Sequence, residues 1–175
     1  MRLQQTEIIL RTRRMFLRTI RTNDVEDLIN IFSDPETMRF YPSTKDRMET
    51  EEWIAGNSQR YQTDGFGMWT AVLRNSGDFA GICGLVTQDV ENRKEVEIGY
   101  LFLRKFWGQG LATEAAAACR DYGFRIGYSQ LISLIDPENI ASRRVAEKNG
   151  MTRERTVLMW GKELCLYSIN SAKII

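Results

Sequence analysis

Between Val96 and Ile126 the chain changes its hydrophobic period with only a short glycine-containing turn between, and this restricts the folds open to it. Val96, Ile98, Tyr100 and Phe102 fall on one face of an extended segment, with Glu97, Gly99, Leu101 and Leu103 on the other. Beyond Trp107-Gly108-Gln109-Gly110, the residues Leu111, Ala115, Ala118, Cys119, Tyr122 and Ile126 recur at helical spacing, and the alanines allow close approach to a sheet. A strand that feeds directly into a helix aims unpaired backbone N–H groups, at the positive end of the helix dipole, at one point in space. Glycine lets an anion reach that backbone. The spacing excludes a P-loop, which needs Gly-x-x-x-x-Gly-Lys-Ser/Thr, and a dinucleotide fingerprint, which needs a small third residue where Thr113 stands. By itself a Gly-x-Gly turn more often merely shapes a loop that binds nothing.

The flanking segments predict the rest of the domain. Ile8, Ile9, Leu10, Phe16 and Leu17 read as a first strand with arginines (Arg2, Arg11, Arg13, Arg14, Arg18, Arg21) around it. Asn23 and Glu26 form a capping-box pattern ahead of Val25, Leu28, Ile29 and Phe32, and Asp34-Pro35 stops that helix. A second helix is expected from near Thr44 to the Asp64-Gly65 break. Trp69 to Leu73 and Phe79 to Val86 form a hairpin around Asn75-Ser76-Gly77-Asp78, Leu131 to Ile135 a strand, and Asn139 caps a short helix that ends at Gly150. Thr156 to Trp160 and Leu164 to Ile169 close the chain as a last hairpin. This order predicts one α/β (α+β) domain over residues 1–175, a mixed and mostly antiparallel sheet of about seven strands flanked by about four helices.

The 24 basic and 23 acidic side chains leave a net charge of +1, so no single-sign field is available for nucleic acid or an anionic membrane. Neither an apolar run long enough to span a membrane nor a secretory h-region is present, and cytoplasmic location is the expectation. Cys83, Cys119 and Cys165 are odd in number and set in apolar stretches, which suits free buried thiols. The chain has no histidine. That excludes a Ser-His-Asp triad, a Cys-His pair and an HExxH zinc site, and no metal is expected.

Four segments carry a family resemblance: Glu97-Ile98-Gly99-Tyr100, Trp107 through Ala115, Asp136 through Ser142, and Glu147-Lys148-Asn149-Gly150-Met151. In this order they resemble the GNAT superfamily of N-acetyltransferases, in particular the branch of ribosomal-protein N-terminal (alanine/serine) acetyltransferases. The resemblance covers nearly the whole chain. It implies acetyl-CoA as cosubstrate, with the pyrophosphate on backbone amides of Trp107, Gly108, Gln109, Gly110, Leu111, Ala112 and Thr113. It further implies that the backbone of Leu101, Phe102 and Leu103 hydrogen-bonds the pantetheine arm, with Asn139 and Ser142 beside it, on a strand splayed from its neighbour. Arg104, Lys105, Arg143, Arg144 and Lys148 are candidates for the remaining phosphates.

Acyl transfer to an amine needs a base for the amine, a donor for the oxyanion and a proton for the departing thiolate. With no histidine, a carboxylate acting through water is the natural base, and Glu97 on the strand leading into the turn is the candidate, ahead of Glu95 and Glu114. Ser142 matches the family's Asn-x-x-Ser and is the candidate proton donor. The tyrosine that many members carry in that role is replaced by Ala146. The N–H of Phe102 or Leu103 is the expected oxyanion donor. Phe40, Tyr41, Trp53, Tyr61, Trp69, Trp160 and Tyr167 are candidate walls of an acceptor pocket. The acceptor stays open between a protein N-terminus and a small-molecule amine, and the closing hairpin leaves a homodimer open. The competing reading is an acyl-CoA-binding regulatory module without turnover.

Overall fold

The computed structural model describes residues 7–174, and side chains through residue 172; Arg2 of the arginine-rich start lies outside the described residues. The first apolar segment is two strands, β1 (Ile8–Arg11) and β2 (Met15–Thr19), because Arg13-Arg14 stays polar at the bend and Thr12 closes a tight turn with Met15. This hairpin raises the expected seven strands to eight. The next strands, β3 (Met68–Leu73), β4 (Phe79–Val90) and β5 (Arg93–Phe102), continue from β2 as an antiparallel meander. Helix α3 (Leu111–Arg125) then crosses over to β6 (Gln130–Ile135), which runs parallel to β5. Helix α4 (Ile140–Lys148) leads to β7 (Thr152–Met159) and β8 (Lys162–Asn170). The last strand inserts between its predecessors, giving the order β1-β2-β3-β4-β5-β6-β8-β7 in one sheet.

Two remaining helices, α1 (Val25–Phe32) and α2 (Arg47–Thr63), cover the face opposite α3. Leu28, Ile31, Phe32 and Ile54 pack there on Met68 and Ile82, while Leu111, Ala115, Ala116 and Cys119 of α3 pack with Leu17, Leu85 and Ile98. The cap assignments of α1 and α2 shift. Asp24 stands before α1 in place of Asn23 without a side-chain cap bond to it; its carboxylate takes the Arg21 N–H at 2.8 Å in the 3-10 turn Thr22–Asp24, and α2 starts on Asp46, which exchanges bonds with Glu49. Asp46 wins over Thr44 because it has an acidic partner three residues on. The three cysteines are free and buried, with Cys83 and Cys119 sulfurs 3.5 Å apart and burial pushing the Cys119 thiol up. No helix among the described residues is long and apolar enough to cross a membrane.

Candidate active site

Strand β5 pairs with β4 along its whole length, from Val90↔Arg93 to Gly81↔Phe102. Against β6 it has a single registered pair, Glu97↔Ile132, supported by the Ser133 hydroxyl donating to the Ile98 carbonyl at 3.0 Å. Beyond Ile98 the two parallel strands part, and the C-terminal end of β5 has an open edge. Leu103 donates its N–H to Ala80 O at 3.0 Å, and its own carbonyl accepts from Phe106 N–H at 2.9 Å. Backbone groups alternate in direction along a strand, so those of Leu101 and Leu103 face β4 and those of Tyr100 and Phe102 face the opening. The expectation of backbone contacts from Leu101 and Leu103, and of Leu103 as oxyanion donor, is corrected on this ground: Leu101 is paired with Ile82 in the sheet, and the Leu103 groups are taken by Ala80 and by the turn residue Phe106. The Phe102 carbonyl is also taken, by the Trp107 indole N–H at 2.7 Å. Phe102 N–H and both backbone groups of Tyr100 are directed to the open edge.

At the end of β5 the chain makes a short 3-10 turn (Arg104–Phe106) and then the glycine turn. Gly108 and Gly110 have φ of 74° and 76°, left-handed values at which a side chain is strained. Gly110 therefore turns the chain into α3 as its N-cap. Trp107 N–H donates to Arg104 O at 3.0 Å, which removes it from the expected set of anion donors. Among the described residues, the N–H groups of Gly108, Gln109, Gly110, Leu111, Ala112 and Thr113 make no backbone hydrogen bond, so a row of donors converges at the start of α3.

Arg14 fixes this turn from outside. Its Nε meets the Glu114 carboxylate at 2.6 Å, its backbone N–H donates to the same carboxylate at 2.8 Å, and its Nη1 donates to Gln109 O at 2.8 Å. Glu114 is thereby occupied and is no candidate base; burial pushes its carboxyl up, but bonds from Thr12 and Arg14 outweigh this and hold it low. The sequence gives no sign of Arg14's role, since it is one arginine among several and its partners lie about a hundred residues downstream.

A cavity of about 380 Å³ runs from α1 and α2 through the parting of β5 and β6 to α4. Glu97, Gly99, Tyr100 and Leu101 line it from β5, and Asn139 and Ser142 from the start of α4. Glu97 accepts from Gln88 Nε2 at 2.8 Å and from Leu134 N–H at 3.2 Å. Burial pushes its carboxyl up, and these two donors offset the rise only in part. Such a carboxyl titrates closer to neutrality than a surface one, as a general base requires. Glu95 lies outside the cavity walls.

Asn139 caps α4 by accepting from Ser142 N–H at 3.1 Å. Tyr100, not among the candidate site residues, donates its hydroxyl to Ser142 O at 3.0 Å, fixing α4 to β5 across the opening; burial raises that hydroxyl's pKa. Ser142 lines the cavity, and its hydroxyl lies within hydrogen-bonding reach of the Tyr100 hydroxyl, which offsets part of that rise. Of the candidate aromatics, Phe40, Tyr41, Trp53 and Trp160 border the cavity. Trp69 and Tyr167 are core residues at 1% exposure, and Tyr61 is a structural clamp: its hydroxyl donates to Met68 O and accepts from Ile20 N–H.

Among the cations considered for phosphates, Arg104 pairs with Asp34 at 3.0 Å, and Arg143 bonds the Tyr167 hydroxyl and Pro137 O. Lys105 lies over the Phe106 ring. No cluster of three His, Cys, Asp or Glu suited to a metal occurs among the described residues.

The profile of the acetyltransferase (GNAT) domain matches residues 14–152. The Bacillus subtilis (strain 168) protein YkkB is 42% identical over 162 residues, covering 91% of this chain and 94% of that one. The crystal structure of an acetyltransferase from Agrobacterium tumefaciens superposes with a TM-score of 0.82 at 25% identity, over 98% of this chain and 99% of its own. RimL, a ribosomal L7/L12 α-N-protein acetyltransferase solved in complex with coenzyme A, shares the fold at a TM-score of 0.74 and 22% identity, over 94% of this chain and 98% of its own. A parted pair of parallel strands, a donor-lined glycine turn and these matches together place the chain in the GNAT acetyltransferase family.

Proposed function

We propose that the chain, working as a single domain, transfers the acetyl group of acetyl-CoA to a primary amine by direct attack in a ternary complex. The observation that carries this reading is the position of Glu97: a carboxylate with a raised pKa, in a cavity that opens onto the unpaired edge of β5. The N–H row from Gly108 to Thr113 suits the pyrophosphate, and the open groups of Tyr100 suit an amide-bearing arm laid along the strand. Acetyl-CoA thus fits the donors that lack partners.

Glu97 takes a proton from the ammonium, directly or through water, and passes it to solvent; the neutral amine attacks the thioester carbonyl, and the nitrogen of the adduct gives up its second proton along the same route. Phe102 N–H is the donor left for the oxyanion. As the C–S bond breaks, the Ser142 hydroxyl gives the thiolate its proton and regains one from solvent. Three free buried thiols fit a reducing cytoplasm.

The test is free-thiol release from acetyl-CoA across a panel of primary amines, paired with calorimetry of acetyl-CoA binding. Turnover on at least one amine is expected. Tight binding with no turnover on any of them defeats this reading and leaves the acyl-CoA-binding module.

A further inference from the structure

Resting on that reading, we propose that the acceptor is a small amine that also carries a carboxylate on an apolar frame, and that Arg60 docks the carboxylate. The charges lining the cavity single out this class. Asp136 and Lys162 cancel, with Nζ 2.7 Å from the carboxylate, and the same Nζ donates to Phe40 O. Glu97 is reserved by its bonds to Gln88 and Leu134 and by the chemistry. What is left is cationic: Arg60 and Lys45 both line the cavity, both are half-buried, and neither side chain makes a hydrogen bond or ion pair among the described residues. A polyamine or an aminoglycoside would bring several positive charges to these two cations. A zwitterion brings its amine to Glu97 and its anion to a guanidinium.

Helix α2 gives Arg60 a fixed setting. Trp53, Gly56, Asn57 and Arg60 follow at helical spacing and all border the cavity. Asn57 is 3% exposed and clamps Met68 from both sides, donating to its carbonyl at 2.9 Å and accepting its N–H at 2.8 Å. The Tyr61 hydroxyl adds a bond to the same carbonyl. This face of the helix is therefore tied to β3 and cannot roll without breaking buried hydrogen bonds. Between Trp53 and Arg60, Gly56 leaves open room: a Cβ built there meets nothing within 4 Å. A glycine inside a helix is unfavourable for the fold, and here it keeps space for the acceptor's apolar part against the Trp53 ring.

The test compares initial rates for matched acceptors with and without the carboxylate: phenylalanine against phenylalaninamide and phenethylamine, 6-aminohexanoate against hexylamine, with spermidine as the polycation. In the wild type, kcat/KM is expected to be at least about tenfold higher for the better carboxylated acceptor than for its carboxylate-free counterpart, the scale of a charge-assisted hydrogen bond. Arg60→Met should bring that ratio to about one, mainly through KM, and Arg60→Lys should restore part of it. Gly56→Leu should raise KM for phenylalanine more than for 6-aminohexanoate. Turnover that is equal or better on the carboxylate-free amines or spermidine overturns the proposal while leaving acetyl transfer intact, as does a ratio that survives Arg60→Met. Absence of turnover on every amine defeats the acetyltransferase reading instead.

Discussion

Arg14 and Glu114 are 100 residues apart in sequence and meet at 2.6 Å, Nε to carboxylate, where the β1–β2 hairpin touches the first turn of α3. The same guanidinium holds the carbonyl of Gln109, inside the glycine turn. The hairpin thus fixes the row of N–H donors from the side, and Glu114 also favours the helix start electrostatically.

Arg14→Met should therefore loosen the turn without touching the cavity. A partly exposed pair of this kind contributes about 1 kcal/mol, so acetyl-CoA is expected to bind about fivefold more weakly. Calorimetry on the variant checks this, with kcat at saturating acetyl-CoA changed far less than KM. Unchanged affinity would remove Arg14 from the support of the turn.

For Glu97 the raised pKa has two consequences of opposite kind. Activity should climb with pH along a limb displaced above the ordinary carboxylate range, and Glu97→Gln should lower kcat by about a hundredfold or more and abolish the limb. Stability runs the other way. A carboxyl whose folded pKa is raised stabilises the fold while protonated, below its unfolded value, and that contribution is lost as pH rises through the folded pKa. The Gln variant should accordingly match or exceed the wild type in Tm at pH 8 and lose that advantage near pH 4. A wild-type rate profile in Glu97→Gln would exclude it as the base.

Much of this site is legible in local patterns, and what is not depends on partners far along the chain. The glycine turn, the Asn139 cap and the break at Gly150 each express a constraint within a few residues, so composition reveals them. The side-chain faces of β5 follow from alternation, but which backbone groups stay open depends on which edge β4 occupies, and this displaced Leu101 and Leu103 in favour of Tyr100. The clamp of Asn57 on Met68 and the staple of Arg14 on Glu114 have no periodic signature. The entry of β8 between β6 and β7 is partly legible, since β8 carries a continuous buried run from Leu164 to Ile169, as a central strand does, whereas β7 buries only Val157.

At Gly110 a φ of 76° makes the requirement for glycine a matter of backbone conformation as well as of ligand approach. Gly110→Ala is expected to destabilise the fold by about 1–2 kcal/mol and to weaken acetyl-CoA binding. Asn tolerates the left-handed region better, so Gly110→Asn should recover part of the stability. Gly110→Trp should abolish binding in a folded protein, read by circular dichroism alongside calorimetry. Full affinity in the folded Trp variant would overturn the assignment of this turn to the pyrophosphate.

Asp24 sets the position of α1, one wall of the cavity, from a site 4% exposed to solvent. Burial alone would push its carboxyl up, but both guanidinium nitrogens of Arg18 at 2.7 Å, Arg21 N–H at 2.8 Å and the Thr70 hydroxyl at 3.0 Å outweigh it and hold the carboxyl below its ordinary value. A depressed folded pKa gives stability that is present above the unfolded value and is lost as pH falls through the folded one. Asp24→Ala leaves the largely buried Arg18 guanidinium without its partner, a loss of about 3–5 kcal/mol. Urea unfolding at pH 7 should show this difference, and the gap between the wild type and the variant should narrow as pH falls below the ordinary aspartate range and the carboxyl takes up its proton. A gap that stays constant over that fall in pH would mean that packing, and not the ion pair, holds α1 in place.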